Sequence, residues 1–156
     1  MTTLKRSKAA AAHGHHEDID DADYRALAGF RYEVRKFMAF SKKAAEAAGL
    51  QPQQYQALLA IKAREGSERI ATTALAEELF IGSSTAVELL DRLEARGLVS
   101  RSVLAEDRRR TVVALTPEAN RILRSLAAVH RDELRQHVPA LISLLARIGP
   151  DAPTLP

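Results

Sequence analysis

Two clusters of polar residues in this sequence have side chains that suit an anionic partner. The first is the run DRRR at residues 107–110, one acid followed by three arginines. The second consists of three consecutive hydroxyl residues, Ser83, Ser84 and Thr85. Guanidinium groups and hydroxyls both donate hydrogen bonds, and guanidinium groups pair especially well with phosphates. These residue types therefore indicate the binding of phosphate groups.

The residue patterns of common catalytic and metal sites do not occur in the sequence. It has no cysteine, which excludes disulfides and thiolate ligands, and we find no glycine-rich phosphate loop and no paired carboxylates in a plausible cleft. His13, His15 and His16 fall in a polar tail, whereas His130 and His137 fall on one predicted helix, as core or interface residues. Histidines seven residues apart on a helix are separated by about 10 Å, too far to share one ion. We predict no enzyme activity, no metal and no cofactor.

The overall composition fits an ordinary globular protein. The chain has 156 residues, of which 46% are hydrophobic, and its net charge is +3. No stretch approaches 18 uninterrupted apolar residues, so we expect no membrane span. The apolar stretch near the amino terminus is short and weakly hydrophobic, so we expect no signal peptide, and the lack of cysteine fits the cytoplasmic location that we expect. A modest basic excess permits nucleic-acid binding without requiring it. The positions of the charges are therefore more informative about a nucleic-acid partner than the net charge is.

The arginine run is predicted to lie at the tip of a β-hairpin. Strand-like residues occupy positions 98–99 and 103–104 before the run, and residues 111–115 alternate in the manner of a strand after it. The residues between these strands, 105–110, are mostly charged. A charged turn of this kind projects from the body of a domain, where a partner can reach it.

The hydroxyl cluster is predicted to open a helix that runs from Ser83 to about Arg96, and we expect its serines to cap that helix as well as to bind. Gly97 ends the helix. On the exposed face we expect Val87 and Glu88, followed one turn later by Asp91 and Arg92. The buried face follows from four apolar residues at i, i+3, i+4 and i+7, which are Ala86, Leu89, Leu90 and Leu93.

Two helices and a short strand are predicted before this point. The first helix runs from Asp20 to Gly49, and its length of about 45 Å exceeds what one small domain can cover. We therefore expect part of it to pack on another subunit. Pro52 suits the first turn of a second helix. A short strand at 69–71 and a third helix at 74–79, capped by Thr72 and Thr73, follow.

Two helices are predicted after the hairpin. Thr116 is a good cap for a fifth helix, because proline follows it in the first turn. Pro139 is expected to interrupt this helix near His137. A sixth helix is then expected over residues 140–148, since Gly149 follows.

Two short helices joined by a tight turn and followed by a hairpin make a winged helix-turn-helix. The predicted fold class is mainly α with a small β-hairpin, with long amino- and carboxy-terminal dimerisation helices. A helix of this length fits the DNA major groove, and the hairpin beside it can place an arginine in the minor groove. The residues that we predict to contact DNA are Ser83, Ser84, Thr85, Val87, Glu88, Arg92, Arg108, Arg109 and Arg110.

Three segments follow one another at a recognisable spacing. They are LAEEL at 75–79, LLDRLEARGLVSR at 89–101 and DRRRTVVALT at 107–116. In this order they resemble the MarR family of bacterial transcription regulators. The third segment matches the wing pattern of that family, an Asp, an Arg two residues later and then Val-x-Leu-Thr. The resemblance covers about residues 20–148.

The resemblance implies a triangular homodimer that binds a pseudo-palindrome in double-stranded DNA. Arg109 occupies the minor-groove position of the family's wing, and Asp107 would orient it through a charge-assisted hydrogen bond. Members usually repress and are often released by small aromatic acids, so Arg31, Tyr32 and Arg35 become candidate ligand-binding residues. The residues assigned to the dimer interface are Tyr24, Phe30, Leu126, Leu134, Val138, Leu141, Leu145 and Ile148.

The predicted domain organisation is one MarR-like domain between two tails. The tails are residues 1–19, expected to be flexible, and 149–156. Within the domain, 20–148, the winged-helix DNA-binding lobe is expected over 50–115, and the dimerisation helices over 20–49 and 116–148.

Two residues depart from the family pattern. Glu88 stands where many relatives carry a basic residue; phosphates repel a carboxylate, although it can accept from cytosine N4. An alternative function is therefore a winged-helix protein-interaction module with weakened DNA readout. Phe80 stands where glycine often ends the third helix. A left-handed phenylalanine costs about 1–2 kcal/mol, which we expect packing against the core to offset.

Overall fold

The computed structural model describes residues 19–65, 69–103 and 111–148. The predicted fold class, mainly helical with a small β-hairpin, is confirmed. The predicted tails lie outside the described residues, apart from Ile19. The elements in chain order are α1 (Asp21–Ala47), α2 (Pro52–Arg64), α3 (Thr72–Glu78), α4 (Ser83–Ala95), β1 (Val99–Val103), β2 (Thr111–Leu115) and α5 (Pro117–Ile148).

The long helices α1 and α5 pack side by side in opposite directions. Glu33 of α1 contacts His137 of α5, whereas Ser41, two turns further along α1, contacts His130. Gly29 extends the pairing toward the start of α1, because a β-carbon at this position would lie only 2.9 Å from the side chain of Leu144. No helix in the described ranges is both long and apolar enough to cross a membrane.

The lobe between these helices is built from α2, α3, α4 and the hairpin. The four predicted buried residues of α4 are confirmed, since none is more than 5% exposed. The strands β1 and β2 pair antiparallel, from Val99 opposite Leu115 to Val103 opposite Thr111. The largest fully buried side chains of the lobe and its edges are Leu50, Leu58, Ile61, Leu75, Leu90, Leu93, Val112 and Val113.

Local signals at three helix ends behave as predicted. Gly49 and Gly97 end α1 and α4 with positive φ angles of 76° and 67°. Leu98 then donates from its backbone to the carbonyl of Leu93, the hydrogen bond of a Schellman motif. At the start of α5, Thr116 accepts a hydrogen bond from the backbone of Ala119, so its capping role is confirmed.

The predicted break at Pro139 is wrong, because α5 continues through it to Ile148. A proline inside a helix removes one backbone hydrogen bond and crowds the preceding turn. Packing against α1 outweighs that cost, because α5 contacts α1 on both sides of the proline, through His137 before it and Leu144 after it. The expected sixth helix is the last part of α5.

The start of α3 also differs from the prediction. The helix begins at Thr72, and Ala71 is its N-cap, so Thr72 and Thr73 lie in the first turn rather than capping it. The expected strand at 69–71 is reduced to a single bridge between Ala71 and Val112 of β2. This bridge holds Ala71 in an extended conformation and thereby determines where the helix can begin.

Phe80 has the left-handed backbone that we anticipated, with φ of 54°, but its expected packing is wrong. Its side chain is 96% exposed. The Schellman motif at the end of α3 explains the difference, because Ile81 donates to the carbonyl of Ala76 and packs against the core in its place. The chain therefore turns with Ile81 inward and the phenyl ring outward.

Candidate nucleic-acid interface

The exposed face of α4 is the centre of the candidate site. Successive residues of an α-helix are rotated by about 100°, so Ser84, Glu88 and Asp91 lie opposite the buried stripe. All three are exposed, as are Ser83 and Thr85 in the first turn. The helix therefore presents hydroxyls at its amino-terminal end, where the helix dipole favours phosphate, and carboxylates one turn later.

The serines of this face do not cap the helix as we expected. Gly82 is the N-cap of α4, and Ser83 is the first helical residue. Glycine at this position leaves the backbone donors of the first turn without a side-chain acceptor from the N-cap residue. Ser83 and Ser84 are both exposed, so a partner can reach their hydroxyls.

Hydrogen bonds from Arg101 to two carboxylates fix α4 to the hairpin. Arg101 of β1 donates from Nη2 to Asp91 at 2.6 Å and from Nε to Glu94 at 3.0 Å. Its backbone N–H donates to the second carboxylate oxygen of Glu94 at 3.2 Å. The side-chain hydrogen bond from Arg101 holds the pKa of Glu94 below its ordinary value. The orientation of α4 relative to β1 is consequently set by paired charges as well as by the core.

Arg101 was not among the predicted site residues. A usable signal exists in the sequence, because Asp91 and Glu94 are three residues apart and therefore share one face of α4. Their partner arginine lies on the following strand, only seven residues beyond Glu94. The pairing becomes apparent once the helix and the strand are placed together.

A cleft of about 470 Å³ separates the starts of α3 and α4 from the hairpin. Hydroxyl side chains line three of its sides, from Thr72, Thr73, Ser83 and Thr111. Arg101 lies on the hairpin side, with 26% of its side chain exposed. The three threonines were absent from the predicted site, because in the sequence two looked like helix caps and one like a strand residue.

The outer part of α4 carries an acid–base pair. The guanidinium of Arg92 lies 3.5 Å from the carboxylate of Glu88, one turn away, and both side chains are at least two-thirds exposed. The whole helix contains three carboxylates and one guanidinium, so acids exceed bases by two. Its hydroxyl end therefore suits an anionic partner better than its middle does.

The predicted wing residues Asp107, Arg108, Arg109 and Arg110 lie outside the described residues. The described strands bracket them, since the last pair of the hairpin joins Val103 to Thr111.

Comparisons with known proteins agree with this arrangement. Residues 48–110 match the model of the MarR family. The matching range, hereafter the MarR segment, makes up about 40% of the chain. It spans α2 to α4 and β1, and the resemblance inferred from the three sequence segments is confirmed.

The curated relatives match over part of their length. Transcriptional regulator HosA of Escherichia coli O157:H7 is 41% identical over 70 residues, which make up 45% of this chain and 50% of the relative. An uncharacterized HTH-type transcriptional regulator of Bacillus subtilis, YfiV, is 48% identical over 52 residues. The chain thus spans 32% of the length of YfiV and 50% of the length of HosA.

The whole fold has solved counterparts in the MarR family. AbsC of Streptomyces coelicolor, a MarR family regulator, superimposes with a TM-score of 0.68 at 23% identity, over 83% of this chain and 90% of that one. A mutant of MepR from S. aureus bound to an oligodeoxyribonucleotide gives a TM-score of 0.60, also at 23% identity, over 75% and 82% of the two chains. At 23% identity, these two matches show a similarity of fold alone.

Outside the MarR segment, most residues assigned to a dimer interface lie at the surface. Tyr24 is 64% exposed, and four apolar residues of α5 are between 40% and 47% exposed, namely Leu134, Val138, Leu145 and Ile148. Phe30 and Leu141 are half-buried. Leu126 differs, because it is only 5% exposed and packs within the core of its own subunit.

The candidate ligand residues are divided along α1. Arg31 and Arg35 lie one turn apart and line a shallow pocket of about 200 Å³ with Phe30 and Val34. Tyr32 is outside that pocket, and the ammonium of Lys36 lies 5.5 Å from the centre of its ring. The structure therefore brings two of the three candidates together.

The two histidines of α5 are buried against α1. His137 contacts a carboxylate at each ring nitrogen, Glu33 at 2.6 Å from Nδ1 and Glu133 at 3.1 Å from Nε2. The hydrogen bond to Glu33 raises the pKa of His137, and the same bond lowers the pKa of Glu33. The ring of Phe37 makes edge contacts with both histidines, so they form part of the α1–α5 packing.

Proposed function

We propose that this chain is a homodimeric DNA-binding transcription regulator of the cytoplasm, a repressor that a small ligand, such as an aromatic acid, releases from its operator. The observation that carries the proposal is the exposed face of α4, held beside the hairpin by Arg101. A helix presented in this way can enter the major groove, where each base pair displays a distinct set of donors and acceptors.

Contacts to the DNA backbone are expected on both sides of α4. The cleft between α3, α4 and the hairpin offers the hydroxyls of Thr72, Thr73 and Ser83 to phosphates. Beyond the described strands, Arg109 is the candidate for the minor groove, oriented by Asp107. Arg108 and Arg110 would bind phosphates. We expect these contacts to provide more of the affinity than base reading does.

Dimerisation is supported by the apolar surface of α1 and α5. Single exposed apolar residues are common on monomers, but a band of them along two paired helices is typical of an interface. A two-fold axis across this band would set two copies of α4 about 34–36 Å apart, one turn of DNA. The operator would then be a pseudo-palindrome.

The repressor role and the ligand rest on the MarR resemblance. The pocket on α1 supports a carboxylate ligand, because Arg31 and Arg35 can both donate to it beside the ring of Phe30. Ligand binding on a dimerisation helix could alter the spacing of the two α4 helices and thus the fit to DNA.

The wing assignment is tested by substitution of Arg109. We expect Arg109→Ala to weaken binding to the DNA upstream of its own gene about 5- to 100-fold and to make the salt dependence shallower. Fluorescence anisotropy over a salt series measures both quantities. Arg131→Ala is the matched control, because Arg131 is an exposed arginine of α5, outside the winged lobe. Equal affinities for wild type and Arg109→Ala would refute the wing assignment.

The excess of acids on α4 favours a second candidate function, a winged-helix module that binds another protein. Such a module would keep the fold and use the same exposed helix face without reading bases. The two functions differ at low ionic strength. A DNA-binding regulator then binds duplex DNA tightly and loses affinity steeply with added salt, whereas the protein module binds none.

A further inference from the structure

The exposed face of α4 carries two carboxylates that differ in their surroundings. Asp91 accepts a hydrogen bond from Arg101, which turns it toward the hairpin. Glu88 lies one turn closer to the amino-terminal end, and its side chain is 67% exposed. Of these two carboxylates, Asp91 is held by the described part of the hairpin, whereas Glu88 lies exposed on the part of α4 that a major groove admits.

The ion pair between Glu88 and Arg92 does not hold Glu88 away from a partner. Its carboxylate lies 3.5 Å from Arg92, and both side chains are well exposed to water. Exposed pairs between residues four apart on a helix are weak, so either side chain is easily redirected. Arg92 nevertheless keeps a positive charge beside Glu88, which reduces the repulsion that DNA phosphates would otherwise exert on the carboxylate.

A carboxylate can only accept hydrogen bonds, and this restricts the base it can read. In the major groove guanine and thymine present acceptors, so neither suits Glu88. Adenine presents a donor at N6 but an acceptor beside it at N7, which repels a carboxylate. Cytosine presents the N4 amino group as a donor, without an acceptor of its own beside it.

We infer that Glu88 is a specificity-determining residue that selects cytosine at one position of each operator half-site, with Arg92 as its charge partner. This inference rests on the proposed DNA-binding function and specifies what the site reads. The acidic residue that departs from the usual basic position would then change the preferred sequence rather than abolish DNA binding.

The test is selection of bound duplexes from random DNA by the full chain, in parallel for wild type and three variants. Glu88→Gln keeps the shape of the side chain but adds an amide donor, so it suits the N7 and N6 groups of adenine. Glu88→Ala removes the contact. Glu77→Gln is the matched control, because it makes the same change of charge at an exposed position of α3.

We expect wild type and Glu77→Gln to select the same palindrome, with cytosine preferred about tenfold at one position of each half-site. Glu88→Gln should shift that position to adenine, and Glu88→Ala should show no preference there. Selection of the same base by wild type and both Glu88 variants would overturn the inference while leaving DNA binding intact. If the wild type retains no duplex at all, the proposed function fails, and the inference fails with it.

Discussion

At the scale of single residues, charge pairs connect the parts of this molecule. Arg101 joins the hairpin to α4, and His137 joins α5 to α1 through Glu33. Both pairs lie between elements that also share apolar contacts. Their specific contribution is orientation, because a hydrogen bond has preferred directions whereas apolar burial has none.

The contacts of His137 with Glu33 and Glu133, the His137 cluster, predict a pH-dependent contribution to stability. The raised pKa of His137 means that its contribution is complete below the ordinary histidine value of 6.5 and is lost as pH rises through the folded value. The lowered pKa of Glu33 acts oppositely, because its contribution is complete above 4.5 and is lost as pH falls. The cluster therefore stabilises the fold most between about pH 4.5 and 6.5.

Urea unfolding of wild type and His137→Gln at several pH values measures this effect. We expect the stability difference between the two proteins to be larger at about pH 5.5 than at about pH 8.5. Glu133 contributes to the same difference, because its hydrogen bond with Nε2 also raises the pKa of His137, whereas Lys36 stays beside Glu33 in both proteins. A stability difference that stays constant over this range would contradict the assignment.

At the scale of elements, Phe80 is a strained end for α3. A left-handed φ of 54° without packing of the ring leaves the strain without local compensation. Phe80→Gly should therefore stabilise the protein by about 0.5–1 kcal/mol, because the relieved strain slightly exceeds the greater flexibility of glycine in the unfolded chain. Thermal or urea unfolding measures the change.

Phe80→Ala is the control for this prediction. Alanine removes the exposed ring but keeps the β-carbon, and with it the backbone strain, so its stability should stay close to that of wild type. If the alanine variant were as stable as the glycine variant, the cost would lie in exposure of the ring and not in the backbone.

The ends of the helices show which features of the fold could be predicted from the sequence and which could not. The ends of α1 and α4 at Gly49 and Gly97, and the cap at Thr116, were predictable because the deciding contacts are only a few residues away. The continuity of α5 through Pro139 was not, because α1, about 100 residues earlier, supplies the packing that sustains it. The start of α3 was missed for the same reason, since a bridge to β2 determines it.

The candidate site likewise has one part that could be predicted from the sequence and one part that could not. The hydroxyl end and the exposed face of α4 could be predicted, because helix periodicity alone separates them from the core. The link from Arg101 to Asp91 and Glu94 required a strand to be placed beside the helix. Charged partners on different elements have no fixed spacing in a sequence, so they are hard to recognise there.

At the scale of the whole molecule, the exposed apolar band of α1 and α5 predicts a dimer. Leu145→Glu would bury one uncompensated carboxylate per subunit, two in a two-fold symmetric interface. We expect this variant to raise the dimer dissociation constant by roughly 100-fold or more. Sedimentation velocity over a range of protein concentrations measures the change.

Val103→Glu provides the matched control for the dimer. Val103 is 57% exposed on β1, outside both long helices, so this variant adds the same charge in place of a similar apolar side chain but should sediment as wild type does. If wild type is a monomer at every concentration, or if both variants dissociate alike, α1 and α5 do not form the interface.

The cap of α5 has a mechanical consequence for such a dimer. The hydroxyl of Thr116, at the end of β2, donates to the carbonyl of Gly97 at 2.8 Å, so the base of the hairpin and the start of α5 are fastened at one joint. From that joint α5 runs as a lever about 48 Å long. A tilt of about 5° between lever and lobe displaces one end by about 4 Å, which exceeds the rise of one base pair, about 3.4 Å. In the proposed dimer, a slight turn at Thr116 would therefore move the two α4 helices out of step with the double helix.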